Sequence, residues 1–136
     1  MQAFDVDERL ARDSDAVLDL GVCQLRLMND SRWPWLILVP RREGAVELFD
    51  LPEADQRAIS AETARVGSWL KAHAGAAKIN IGALGNIVRQ LHIHVVARSE
   101  GDAAWPGPVW GHGRAQPYEA AEKDQFIRAI REALAP

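Results

Sequence analysis

Two imidazoles one residue apart, in Arg89-Gln90-Leu91-His92-Ile93-His94-Val95-Val96-Ala97-Arg98, are the side chains of this 136-residue chain best placed for chemistry. Alternate side chains of a strand face opposite sides, so Gln90, His92, His94, Val96 and Arg98 share one face, while Leu91, Ile93, Val95 and Ala97 form an apolar core face. A neutral imidazole that holds its proton against an acceptor keeps a lone pair on its other nitrogen and can attack phosphorus. The product is a phosphoryl- or nucleotidyl-imidazole, which water later breaks. Such a reaction needs backbone to hold the ring, donors for the equatorial oxygens and a pocket for the rest of the substrate. Gly82-Ala83-Leu84-Gly85-Asn86, just upstream, has glycines that permit close approach of a ligand to the backbone. The plain alternative is a pair of polar side chains on the solvated face of an antiparallel sheet. A metal is not expected: catalytic zinc usually takes three protein ligands, and the other two histidines, His73 and His112, fall on a predicted helix and in a Trp-rich loop.

The elements that must position these residues follow from periodicity. Asp7 to Ser14 can form a short helix. Val22 to Met28 alternates as a strand, Asn29-Asp30-Ser31 supplies a turn, and Leu36 to Val39 is an apolar run ended by Pro40, a second strand paired with the first. Pro52 followed by Glu53 and Asp55 opens a long helix, with Ile59, Val66, Trp69, Leu70 and His73 near one face and Gly75 as its stop. Lys78 to Ile81 predicts a strand that runs into the glycine turn, and the histidine strand comes next. Residues 100–117, rich in Gly, Pro and Trp, are predicted to be irregular. Trp105 and Trp110 there suit a lid or a dimer contact, though packing is the simpler role for these two and for Trp33 and Trp35. Phe126, Ile127, Ile130 and Leu134 predict a C-terminal helix.

Composition limits the partners. Sixteen Lys and Arg against 19 Asp and Glu give a net charge of -3 with no basic stripe, so long nucleic acid is not an expected partner. Cys23 is the single cysteine, which excludes an internal disulfide and fits a reducing compartment. The acidic first residues do not resemble a signal peptide, and no apolar run reaches membrane-spanning length, so a cytoplasmic protein without a membrane partner is expected.

The stretch Gln90-Leu91-His92-Ile93-His94-Val95-Val96 resembles the signature of the histidine triad (HIT) family of nucleotide hydrolases and transferases, His-φ-His-φ-His-φ-φ with φ apolar. Upstream, Gly85-Asn86-Ile87-Val88 is similar to the family's glycine-led approach to the triad, and residues 27–42 to its nucleotide-binding strand pair, so the resemblance is strongest over residues 20–98. It implies that His92 is the nucleophile and that His94 bonds a phosphate oxygen near the scissile bond. It implies too that Asn29 with Asp30 holds the ribose, that Asn80 and Asn86 lie at or beside phosphate contacts, and that Gly85 is the turn glycine. Read without the family, Asn29, Asp30 and Asn86 are equally ordinary turn residues. Four positions depart from the pattern. Gln90 replaces the first histidine, Ile87 a hydroxyl residue and Trp35 an upstream histidine, and Glu43 stands where a histidine is frequent. Gln90 can orient a neighbour through its carbonyl or its amide but cannot carry a proton.

The expectation is therefore an α+β, HIT-like single domain over residues 1–136. An antiparallel sheet of about five strands carries one long helix and a C-terminal helix, and family resemblance implies a homodimer. The expected activity is hydrolysis or transfer at the α-phosphate of an adenine-type nucleotide conjugate, a phosphoramidate or dinucleoside polyphosphate, through a nucleotidyl-histidine and without a cofactor. The rivals are a nucleotide-binding protein with little or no catalysis and a metal-binding or structural module.

Overall fold

Alternating apolar segments close into a sheet buried on both faces. The computed structural model describes residues 4–136. Five strands, β1 (Ser14–Asp19), β2 (Cys23–Met28), β3 (Trp35–Pro40), β4 (Lys78–Gly82) and β5 (Ile93–Arg98), form one antiparallel sheet in the order β1-β2-β3-β5-β4. The short helix α1 (Glu8–Asp13) leads into β1, the long helix α2 (Glu53–Ala74) joins β3 to β4, and α3 (Ala120–Leu134) ends the chain. Residues 99–119 contain neither helix nor strand.

Four strands lie where periodicity predicts them, and β1 is an addition. Its sequence, Ser-Asp-Ala-Val-Leu-Asp, does not alternate because its register with β2 shifts between Ala16 and Leu18. An inserted residue of this kind breaks the period of two that marks a strand. The long helix ends as expected: Gly75 takes a left-handed φ of 61°, and the Gly75 and Ala76 N–H groups donate to the Ala72 and Lys71 carbonyls.

One face of the sheet makes the main core, where Leu25, Leu36, Leu38 and Val95 meet Val66 and Leu70 of α2 and Ile130 of α3. His73, on the same helix, stacks on Trp69 and Phe126 with ring centroids 4.6 and 5.7 Å away, which places it in helix packing. The opposite face is not solvated. Trp33, Trp35, Ile37, Val39, Val96 and Val109 build a second core there, joined by Phe4, Val6 and Trp110. All six residues of β5 are consequently buried.

The cover over this second face is held by an ion pair. Arg98 is only 2% exposed, and its Nε and Nη2 donate to the two carboxylate oxygens of Asp102 at 2.9 and 3.0 Å. Asp102 also accepts the backbone N–H groups of Ser99, Ala104 and Trp105, so one carboxylate organises the start of the loop. Strand parity thus turns Arg98 under the loop, where it is paired with Asp102. Among the described residues, no helix is long and apolar enough to cross a membrane.

Candidate functional site

His92 lies one residue before β5, and its orientation is set by main chain. Its Nδ1 is 2.7 Å from the Gln90 carbonyl oxygen, which can only accept, so in the neutral ring Nδ1 carries the proton and Nε2 the lone pair. The side chain of Gln90 turns elsewhere. Its Oε1 accepts the Asp7 N–H at 2.8 Å and its Nε2 donates to the Asp5 carbonyl at 2.9 Å, which moors the N-terminal segment beside the histidine turn. Arg9 adds a second tie by donating from Nη1 to the Ile87 carbonyl at 3.1 Å.

His94 points to the same face from within β5. Its ring stands 4.8 Å from that of His92 at an interplanar angle of 71°. Its Nδ1 accepts the indole N–H of Trp35 at 2.9 Å, and its ring also packs edge-on against Trp110 with centroids 5.6 Å apart. Trp110 in turn lies over Gly82, where an added Cβ would come within 3.3 Å of the indole. Burial, and secondarily the neighbouring His92, push the His94 pKa down to about 3, so the ring is neutral near pH 7.

The expected ligand residues divide between two cavities. One, of about 330 Å³, is lined by Phe49, Gly85, Asn86, Arg89, Gln90 and His92. Gly85 has φ +68° there, a conformation that shapes the turn beneath His92 and disfavours any side chain. The other, of about 420 Å³, is lined by Asn29, Asp30, Arg32, Trp35 and His112. His94 and Asn80 line neither, and Asn80 Oδ1 accepts from Arg98 Nη1 at 2.8 Å.

Asn29 and Asp30 already hold the chain together. Asn29 Oδ1 accepts the Tyr118 N–H at 2.9 Å, and Asp30, 2% exposed, forms a two-pronged pair with Arg32 at 3.0 and 2.8 Å. Burial pushes the Asp30 carboxyl up, but the Arg32 and Gln116 donors outweigh it and hold its pKa below the usual carboxylate range. His112 sits beside Trp33 in this second cavity and not beside His92. Burial raises the Cys23 thiol well above its ordinary pKa, which removes it as a nucleophile. Among the described residues, no group of three or more His, Cys, Asp or Glu is arranged to hold a metal ion.

Trp35 is the functional candidate that sequence reasoning treated as packing. It lines the second cavity and bonds His94, the ring next to His92. Its signal lay in the pairing: Trp35 stands opposite Val96, two residues along the same face from His94.

Comparison with known proteins gives a consistent picture. Residues 9–101 match the HIT domain family. The chain is similar to the crystal structure of a histidine triad protein from Sinorhizobium meliloti, with 57% identity, 96% of this chain and 97% of that one covered, and a TM-score of 0.94. A histidine triad protein from Bradyrhizobium japonicum is 43% identical over 98% and 99% of the two chains, with a TM-score of 0.95. One from Marinobacter aquaeolei is 39% identical over 96% of each, with a TM-score of 0.94. No curated protein matches.

Proposed function

The chain belongs to the HIT domain family, and from that premise we propose that it is a nucleotide hydrolase or transferase in which His92 is the nucleophile and Gln90 occupies the first triad position. The observation that carries this reading is the 2.7 Å contact between His92 Nδ1 and the Gln90 carbonyl, beside a cavity with a glycine turn. It leaves Nε2 with the lone pair that in-line attack on phosphorus needs. Nε2 bonds to the α-phosphorus as the bond from phosphorus to the leaving group breaks, and the leaving group departs with its electron pair. Water then attacks the same phosphorus, the phosphorus–nitrogen bond breaks, and a mononucleotide leaves. The substrate class is an adenine-type nucleotide conjugate, a phosphoramidate or a dinucleoside polyphosphate.

The remaining residues take supporting roles. His94 and the Gly85–Asn86 turn serve the phosphate oxygens, and the cavity beside Asn29 and Asp30 receives the nucleoside end. Asn29 offers its Nδ2 to a ribose hydroxyl, and Asn80, bonded to Arg98, serves the sheet under the loop rather than the phosphate. The protein works as a homodimer. Val46, Leu48, Phe49, Ile81, Leu84 and Ile87 are its exposed large apolar side chains among the described residues; Ile81 lies on the edge strand β4, and Val46, Leu48, Phe49 and Leu84 line one cavity.

A second reading, nucleotide binding with little or no turnover, is favoured by Gln90, whose amide is engaged by the N-terminal segment and can carry no proton. One experiment separates them. Incubation with adenosine phosphoramidate or a diadenosine polyphosphate, followed by intact-mass measurement, should show one added nucleotidyl group and steady release of AMP. Both should vanish in His92→Ala. Binding of AMP by the unaltered protein with neither label nor turnover would favour the second reading. Sedimentation velocity on the same samples checks the dimer.

A further inference from the structure

Resting on the reading of His92 as nucleophile, we propose that Trp35 is a positioning residue that locks His94 in the tautomer protonated on Nε2, the opposite of the tautomer that the Gln90 carbonyl imposes on His92. The two histidines meet partners of opposite kind. His92 Nδ1 faces a carbonyl, which only accepts, and His94 Nδ1 faces an indole N–H, which only donates. A proton on His94 Nδ1 would set two N–H groups head to head across 2.9 Å. The contact therefore opposes both the Nδ1-protonated tautomer and the imidazolium.

Trp35 cannot easily swing away. It is 6% exposed and packs edge-on against Trp33 and Trp110, with centroids 6.2 and 6.4 Å away. β3 offers Trp35 and Ile37 to His94, β4 offers Gly82, and the covering loop offers Trp110. The ionisable neighbour is His92, and burial also favours the neutral ring. The consequence for the reaction is a division of labour at like atoms. Nε2 of His92 presents a lone pair to phosphorus, and Nε2 of His94 presents a proton to a phosphate or leaving-group oxygen as a neutral hydrogen-bond donor.

Nitrogen-15 NMR of the full-length, unliganded protein tests this without requiring turnover. A nitrogen–nitrogen coupling across the Trp35 Nε1–H to His94 Nδ1 hydrogen bond is expected, with His94 protonated on Nε2 and His92 on Nδ1. Trp35→Phe should remove the coupling and let His94 populate the second tautomer. Trp33→Phe, which alters packing next door, should leave the His94 signals unchanged. A His94 protonated on Nδ1 in the unaltered protein, or Trp35→Phe signals identical to it, would overturn the proposal. In the phosphoramidate assay, Trp35→Phe should lower kcat about tenfold, less than the ~10² lost when a whole transition-state donor is removed. Normal spectra without turnover would sink the hydrolase reading and leave the tautomer lock standing.

Discussion

Gln90 separates its main chain from its side chain. The carbonyl holds the His92 ring, and the amide holds the backbone of residues 5 and 7, more than eighty positions away in sequence. Gln90→Ala keeps the first function and loses the second. It should destabilise the fold by about 1–2 kcal/mol, as two net hydrogen bonds are lost, while turnover falls less than tenfold. Urea denaturation and the phosphoramidate assay measure the two, and hydrogen exchange at the Asp7 amide should accelerate. A hundredfold loss of turnover at near-normal stability would instead give the side chain a direct role. Gln90→His does not restore the clamp, because imidazole carries its donor and acceptor on opposite sides of a ring and cannot mimic an amide facing two backbone groups. The shared face of Gln90, His92 and His94 was legible from alternation alone. What the amide would bond was not, because its partners lie at the far end of the chain, where no local pattern points to them.

At the level of elements, the loop after β5 is as structural as the strands. Its composition announced irregular backbone, and that is what forms, but its task of roofing the histidine face depends on one carboxylate. Asp102 neutralises Arg98 and caps three loop N–H groups, and the Arg98 hydrogen bond holds its pKa well below the usual carboxylate range. Asp102→Ala leaves a guanidinium that is 2% exposed without its counter-charge, so a loss of about 3–5 kcal/mol is expected from denaturation curves. Replacing Arg98 and Asp102 together by Met and Ala should recover part of it. A loss below ~1 kcal/mol for Asp102→Ala would mean that the loop holds its place through Trp33 and Val109 alone. Apolar spacing revealed α2, α3, β3 and β5 because packing and period agree there. The bulged β1 escaped because its inserted residue cancels the period, and the burial of the second face escaped because Trp33, Val109 and Trp110, which help cover it, lie in irregular segments that carry no period at all.

For the molecule as a whole, a sheet covered on both sides encloses a titratable ring, and this couples stability to pH. In the unfolded chain His94 regains an ordinary pKa of ~6.5, whereas in the fold burial pushes it down to about 3. Between those values the unfolded state binds more protons than the folded one, so stability rises with pH across the window. The His94 contribution is complete above ~6.5 and drains away as pH falls toward about 3, with a limiting slope of ~1.4 kcal/mol per pH unit. From about pH 6.5 to about pH 5 the loss should be ~1.5 kcal/mol, in a range where ordinary carboxylates remain largely ionised. The comparison that isolates it is His94→Gln, which keeps a polar side chain and removes the titration. At fixed protein concentration, the stability of the unaltered protein relative to His94→Gln should shrink by that amount between the two pH values. Equal losses in both proteins would assign the acid sensitivity to other groups and would mean that His94 accepts a proton within the fold.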